Sequence, residues 1–297
     1  MLSGQSDLEE LRRRLDAIDD RLQDLLIERL EIVSRVAAEK RSGSVPPHVP
    51  AREAQMLRRL AARLGDAFPA GPLVRIWREL LGATTRAQGP FAIGVYSSPN
   101  ALGIWDLARD HYGSHAPMST FQSASQVIRA VTERRAAIGV LPMPQDGDDE
   151  PWWLHLIAPD IDVPRVIARL PFGPRGNART DSGDALAIGY GPQQESGIDR
   201  TLLATENAVD ISHSRFANLL SAVGFSWTSI ISCGQGQSGN TLLEVDGFVP
   251  PTDPRLAQMR NRFGADLPQL LPIGSYAVPL QQGAAPAGGI ALAAVGG

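Results

Sequence analysis

Between positions 8 and 36 apolar residues recur in steps of three and four, through Leu8, Leu11, Leu15, Ile18, Leu22, Leu25, Ile32 and Val36. That spacing predicts one amphipathic helix over 8–41, with no Gly or Pro inside it and Ser6 or Asp7 to cap its start. About 34 residues rising ~1.5 Å each make a rod of roughly 50 Å, longer than a small domain covers by itself. A partner chain is therefore expected along it. The segment 43–50 (GSVPPHVP) breaks the pattern, and Pro50 suits the first position of a second helix over 51–64. In that helix Met56, Leu57, Leu60 and Leu64 share a side. After a turn at 65–72, a third helix is expected over 73–86, with Ile76, Trp77, Leu80 and Leu81 facing inward.

From Phe91 the period changes. Strands are expected at 91–96 and 136–141, helices at 101–112 and 123–133, a polar acidic loop at 143–151, and strands at 164–170 and 184–190. This βα alternation predicts a small α/β unit. From about residue 201 the order is strand, helix (214–223), strand (227–233), strand (240–249), helix (254–263) and strand (274–279). That is the ferredoxin-like β-α-β-β-α-β arrangement. The expected class is thus a multidomain α plus α/β protein. Its parts are an all-helical 1–90, an α/β unit at 91–193, a βαββαβ unit at 194–280, and a Gly- and Ala-rich flexible tail at 281–297.

Charge and composition narrow the function. The net charge is −4, split as +2 over residues 1–88 and −6 over the remainder, so nucleic acid is a poor partner. The single cysteine, Cys233, excludes an intrachain disulfide and fits a reducing cytoplasm. No apolar h-region follows the N-terminus, no stretch reaches membrane-spanning length, and the five histidines are scattered. Neither a signal peptide, nor a membrane, nor a metal is expected. Of 28 basic residues 27 are arginine, and the one lysine is Lys40. Where arginine is used almost everywhere, a retained lysine points to a need for a compact ammonium, or to chance survival on a solvated helix end.

The first helix carries charges where its pattern does not want them. Heptad steps through 8, 15, 22, 29 and 36 put Arg29 in the apolar seam. An unpaired buried charge costs several kcal/mol, so Arg29 must meet an anion, either a neighbouring carboxylate or a ligand. Lys40 lies eleven residues on, about three turns, and so shares that face. Arg12 points elsewhere and is placed to serve a neighbouring chain. Arg52-Glu53 opens the second helix, and Thr84 and Gln88, four apart, share a face at the end of the third. Surface charge and helix-end capping are the plain alternatives for these.

The segments LEELRRRLDAIDDRLQDLLIERLEIVSRVAAEK, AREAQMLRRL and WRELLGATTRAQ resemble the all-helical chorismate mutases, including the mutase domains fused to prephenate dehydratase. The resemblance covers residues 7–88 and implies an intertwined helical dimer. It implies that Arg12 serves the partner's site, and that Arg29 and Lys40 serve their own. It also implies that Arg52, Glu53, Thr84 and Gln88 complete the substrate site. Where that family often has an aspartate, this chain has Val49. The reaction implied is the concerted rearrangement of chorismate to prephenate. It asks for cations on two carboxylates, here Arg12 and Arg29, and donors on the ether oxygen, here Lys40 and Gln88. Glu53 is the expected acceptor for the substrate hydroxyl. No cofactor or metal is required.

Residues 91–280 resemble, more weakly, prephenate dehydratase followed by its regulatory ACT domain. The carriers are Ala137-Ile138-Gly139-Val140-Leu141-Pro142-Met143, Leu242-Leu243-Glu244-Val245-Asp246-Gly247 and Leu271-Pro272-Ile273-Gly274-Ser275-Tyr276. That family's Thr-Arg-Phe triplet is missing from the matching region, Gly183-Asp184-Ala185-Leu186-Ala187-Ile188, and the segment before it is shortened. Its effector motifs are replaced by Asp210-Ile211-Ser212-His213 and Ile231-Ser232-Cys233-Gly234. The expectation is a mutase with a non-catalytic regulatory or assembly half, in which His213, Arg215 and Cys233 are candidates for a changed effector site. Two rivals stand beside it: a bifunctional mutase–dehydratase, and a catalytically dead binding protein using the first helix only to dimerise.

Overall fold

The computed structural model describes residues 3–42, 48–65, 68–148, 150–158, 162–181, 183–205, 212–233, 239–263 and 270–280. The expected flexible tail at 281–297 and the motif start at 210–211 lie outside the described residues. The chain divides into two compact units, one of residues 1–48 with 84–89 and one of 49–83 with 90–297.

The first unit is dominated by α1 (Ser3–Ser42), an unbroken helix of 40 residues. Its expected seam lies open along its length: Leu15 is 59% exposed and Leu25 58%. Ala37, by contrast, is buried. The unit also takes the last turn of α3 (Ala70–Gln88).

The second unit holds α2 (Pro50–Leu64), most of α3, and a nine-stranded sheet. β1 (Ile93–Tyr96) lies between β2 (Met118–Phe121) and β3 (Ile138–Pro142), parallel to both. The crossovers are α4 (Gly103–Tyr112) and α5 (Ala124–Thr132), as parallel neighbours require. β5 (Ala185–Gly189) runs antiparallel between β3 and β4 (Arg165–Leu170). β6 (Asp199–Thr205), α6 (His213–Ala222), β7 (Trp227–Cys233), β8 (Asn240–Asp246), α7 (Pro254–Phe263) and β9 (Leu271–Ala277) complete the chain. The sheet order is β2-β1-β3-β5-β4-β9-β6-β8-β7. Val127, Val131 and Trp153 pack on one side of the central strands, and Ile104 and Leu107 of α4 on the other. A third cluster joins Leu203 and Leu243 to Phe216 and Leu220 of α6 and Met259 of α7.

The junction of β4 with β9 depends on one glycine. Val166 pairs with Gly274, which has φ +146°, and a Cβ at Gly274 would collide with the Val166 backbone. Only a residue without Cβ fits a crossing this close.

Three expectations shift. β2 was not expected, because Met118–Phe121 is a four-residue edge strand with Ser119 and Thr120 exposed, leaving no alternation to read. β9 starts at Leu271, three residues before the expected start, because Leu271 and Pro272 pair with Ala204 and Leu203 of β6. Ile76, expected inward, is 52% exposed. The buried stripe of α3 instead runs through Val74 and Arg78, because Phe172 packs against that side.

Candidate functional site

The expected site residues fall in both units. In the first, Arg12 is exposed on α1 and Arg29 is half-buried. Partial burial pushes the Arg29 guanidinium below its ordinary pKa, as expected of a cation set in an apolar seam. The backbone of Lys40 belongs to α1, while its side chain lies outside the described residues. At the end of α3, Gln88 Nε2 donates to the Thr84 carbonyl at 3.1 Å, the helix-end capping its spacing allows. The Gln88 Oε1 atom is buried and accepts no hydrogen bond among the described residues.

In the second unit α2 presents Arg52 to solvent and turns Glu53 inward. Pro50 opens this helix and Glu53 N–H donates to the Val49 carbonyl at 3.2 Å. Val49 is the N-cap and supplies no side-chain cap, so the position where the resembled family often has an aspartate offers only its backbone. Glu53 Oε2 accepts from Arg78 Nη1 at 2.7 Å, with the two side chains 12% and 4% exposed. Burial drives the Arg78 pKa down, and Glu53 partly restores the charge. The same pair faces Tyr112, whose phenol burial pushes above its ordinary pKa, so it stays protonated. Glu53 and Arg78 line a small cavity with His111, Arg169 and Phe172, and the Arg78 guanidinium lies 5.4 Å from the Phe172 ring centroid.

Arg78 was missed, although the signal was present. It stands four residues after Val74 in the buried stripe of α3, a cation in an apolar seam, as Arg29 is in α1.

Of the effector candidates, His213 opens α6 with Nε2 2.8 Å from Ser232 Oγ, beside Cys233 on β7. Arg215 is exposed, and its backbone N–H donates to the capping Ser212 Oγ at 3.3 Å. Cys233 is buried; desolvation first, then Asp148 and Asp146, raise its thiol pKa to about 11, so it stays protonated and inert near neutrality. Among the described residues no group of three or more His, Cys, Asp or Glu could hold a metal ion. No described helix is long and apolar enough to cross a membrane.

Comparison with known proteins addresses the helical segment most directly. Residues 11–89 match the family model of chorismate mutase type II. A bifunctional chorismate mutase/prephenate dehydratase of Aquifex aeolicus is 30% identical over 142 residues, 46% of this chain and 39% of that protein. The same-named protein of Pseudomonas aeruginosa is 24% identical over 147 residues, 48% of this chain and 40% of that protein. The chain thus spans about two fifths of the length of these curated relatives. A solved prephenate dehydratase of Streptococcus mutans superposes with a TM-score of 0.43 at 13% identity, covering 64% of this chain and 98% of that one. That superposition is too loose to assign a function.

Proposed function

We propose that the helical segment converts chorismate to prephenate, as a homodimer joined through α1. The observation that carries this is Arg29, a half-buried cation interrupting an apolar seam within the segment that matches the mutase family. The exposed apolar seam of α1 supports the dimer, since a patch of this size on a monomer is rare. In this reading Arg29 and the partner's copy of Arg12 clamp the two substrate carboxylates and hold the compact conformer. Lys40 and Gln88 donate to the ether oxygen as charge builds there, while Arg52, Glu53 and Thr84 orient the rest. Glu53, held by Arg78, accepts from the substrate hydroxyl. The setting is the cytoplasm, and neither cofactor nor metal takes part.

The C-terminal half is proposed to be a non-catalytic dehydratase-like region, 91–193, followed by an ACT-like regulatory unit, 194–280. The strand order β9-β6-β8-β7 with α6 and α7 as connections supports the second part. Its candidate effector residues are His213, Arg215 and Cys233. The bifunctional reading is kept as the alternative because relatives bear that name.

The test is chorismate consumption by the purified full-length chain, with prephenate identified as product. Arg29→Ala is expected to lower kcat/KM by about a hundredfold or more, and Leu22→Glu to convert dimers to monomers in analytical ultracentrifugation. No turnover by the wild type sinks the reading. Phenylpyruvate formed from prephenate establishes the bifunctional alternative instead.

A further inference from the structure

The helix that carries Arg52 and Glu53 is fastened to the far end of the chain. Arg58, one turn beyond Ala54 on α2, donates from Nη1 to the Ser196 carbonyl and to Ser196 Oγ, both at 3.0 Å. From Nη2 it donates to the Ile198 and Val278 carbonyls, both at 2.8 Å. One guanidinium thus ties α2 to the start of β6 and the end of β9, 138 to 220 residues away in sequence.

The receptor for Arg58 is itself built. Asp199 accepts from Ser196 N–H at 2.8 Å and from Gly197 N–H at 3.1 Å, and bonds Ser196 Oγ, which fixes the turn that aims the carbonyls. Val278 N–H donates to the Ile198 carbonyl at 2.9 Å, holding the two strand ends together. Burial lowers the Arg58 pKa, and the nearby Asp199 charge offsets part of that. The carbonyl cluster therefore receives a half-buried cation. Leu57 and Ala54, fully buried, press the same helix face toward Val74, Phe172, Ala277 and Leu280. A planar fork that satisfies three carbonyls at fixed angles sets the axial register of a helix, which apolar packing alone leaves free to slide.

We infer that Arg58 is a positioning residue for the mutase reaction: through it the C-terminal half fixes the register of α2, and with it the placement of Arg52 and Glu53. This rests on the mutase reading above and deepens it. The C-terminal half becomes part of what makes the helical segment competent, and any ligand that shifts the 196–199 turn or the end of β9 acts on substrate binding through Arg58.

The experiment uses the full-length chain and two readouts, chorismate kinetics and amide hydrogen exchange of residues 50–64. Arg58→Met is expected to raise KM about tenfold and to lower kcat less. It should also speed exchange across α2 roughly tenfold, leaving β1 and β3 unchanged. Arg58→Lys, which keeps the charge but not the fork, should recover part of the exchange protection and only a small part of the KM. Ser196→Ala keeps all three carbonyl acceptors and removes only the hydroxyl that accepts from Arg58 and bonds Asp199, so it should move both readouts about threefold in the same direction; it carries the test if Arg58→Met does not fold. Faster exchange with unchanged kinetics overturns the positioning role, as does unchanged exchange. A wild-type chain without mutase turnover removes the functional reading itself, which is seen before any variant is made, and takes the positioning role with it.

Discussion

Replacing Arg78 by Met tests the buried pair at the root of α2. The substitution keeps an apolar stem beside Phe172 and removes the guanidinium, so the change is mainly electrostatic. It strips Glu53 of the cation 2.7 Å from its Oε2 and leaves a carboxylate whose side chain is only 12% exposed. Breaking a buried ion pair from one side costs about 3–5 kcal/mol, because the remaining charge stays desolvated. Glu53→Gln should cost a comparable amount, since burial already disfavours the Arg78 charge and Glu53 supports it. The double variant removes both charges of the pair, so its loss should be smaller than the two single losses together by about 2–3 kcal/mol. Urea unfolding of the full-length chain measures this through the shift in midpoint at constant slope. If the double variant loses as much as the two singles added, within about 0.5 kcal/mol, the pair is not coupled and the account of α2 fails.

Two further outcomes follow from the fold. Gly274→Ala should destabilise the chain by at least about 3 kcal/mol, seen as a lowered Tm, because the new Cβ meets the Val166 backbone and φ there is +146°; an unchanged Tm would dismiss the β4–β9 crossing as described. Asp106 accepts from Arg179 N–H at 3.1 Å and Nε at 2.7 Å, and its pKa is lowered, chiefly by the Arg179 hydrogen bond. A depressed carboxylate pKa gives stability that is present above the unfolded value, about 3.9, and is lost as pH falls through the folded one. Asp106→Asn should therefore flatten part of the acid loss below about pH 4 in a Tm series; an identical acid limb in both proteins contradicts the pairing.

Much of the architecture was legible because it rests on local period. The long helix follows from steps of three and four through Leu8 to Val36, and the strands Ile138–Pro142 and Ala185–Gly189 are apolar throughout because both faces are covered. What escaped was set from outside the segment. Met118–Phe121 becomes a strand because β1 offers it an edge, not because its residues alternate. Ile76 faces solvent because Phe172, almost a hundred residues away, covers Val74 and Arg78 instead.

The site divides along the same line. Arg29 was found because a cation interrupts a seam that one helix spells out by itself. Arg78 interrupts a seam too, but the inner face of α3 was drawn through Ile76, which is exposed, rather than through Val74, which packs with Trp77 on the Phe172 side. Arg58 gave no local signal at all, since its four acceptors are carbonyls and a hydroxyl at Ser196, Ile198 and Val278, and carbonyls carry no sequence identity. Periodicity can say that a helix has an inner face, but what covers that face is decided by long-range partners. Arg52 and Glu53 were readable as a pair opening a helix. The physical basis of their placement lies in Arg78 on α3, and in Phe172 and the strand ends that hold Arg58, which belong to the C-terminal half of the chain.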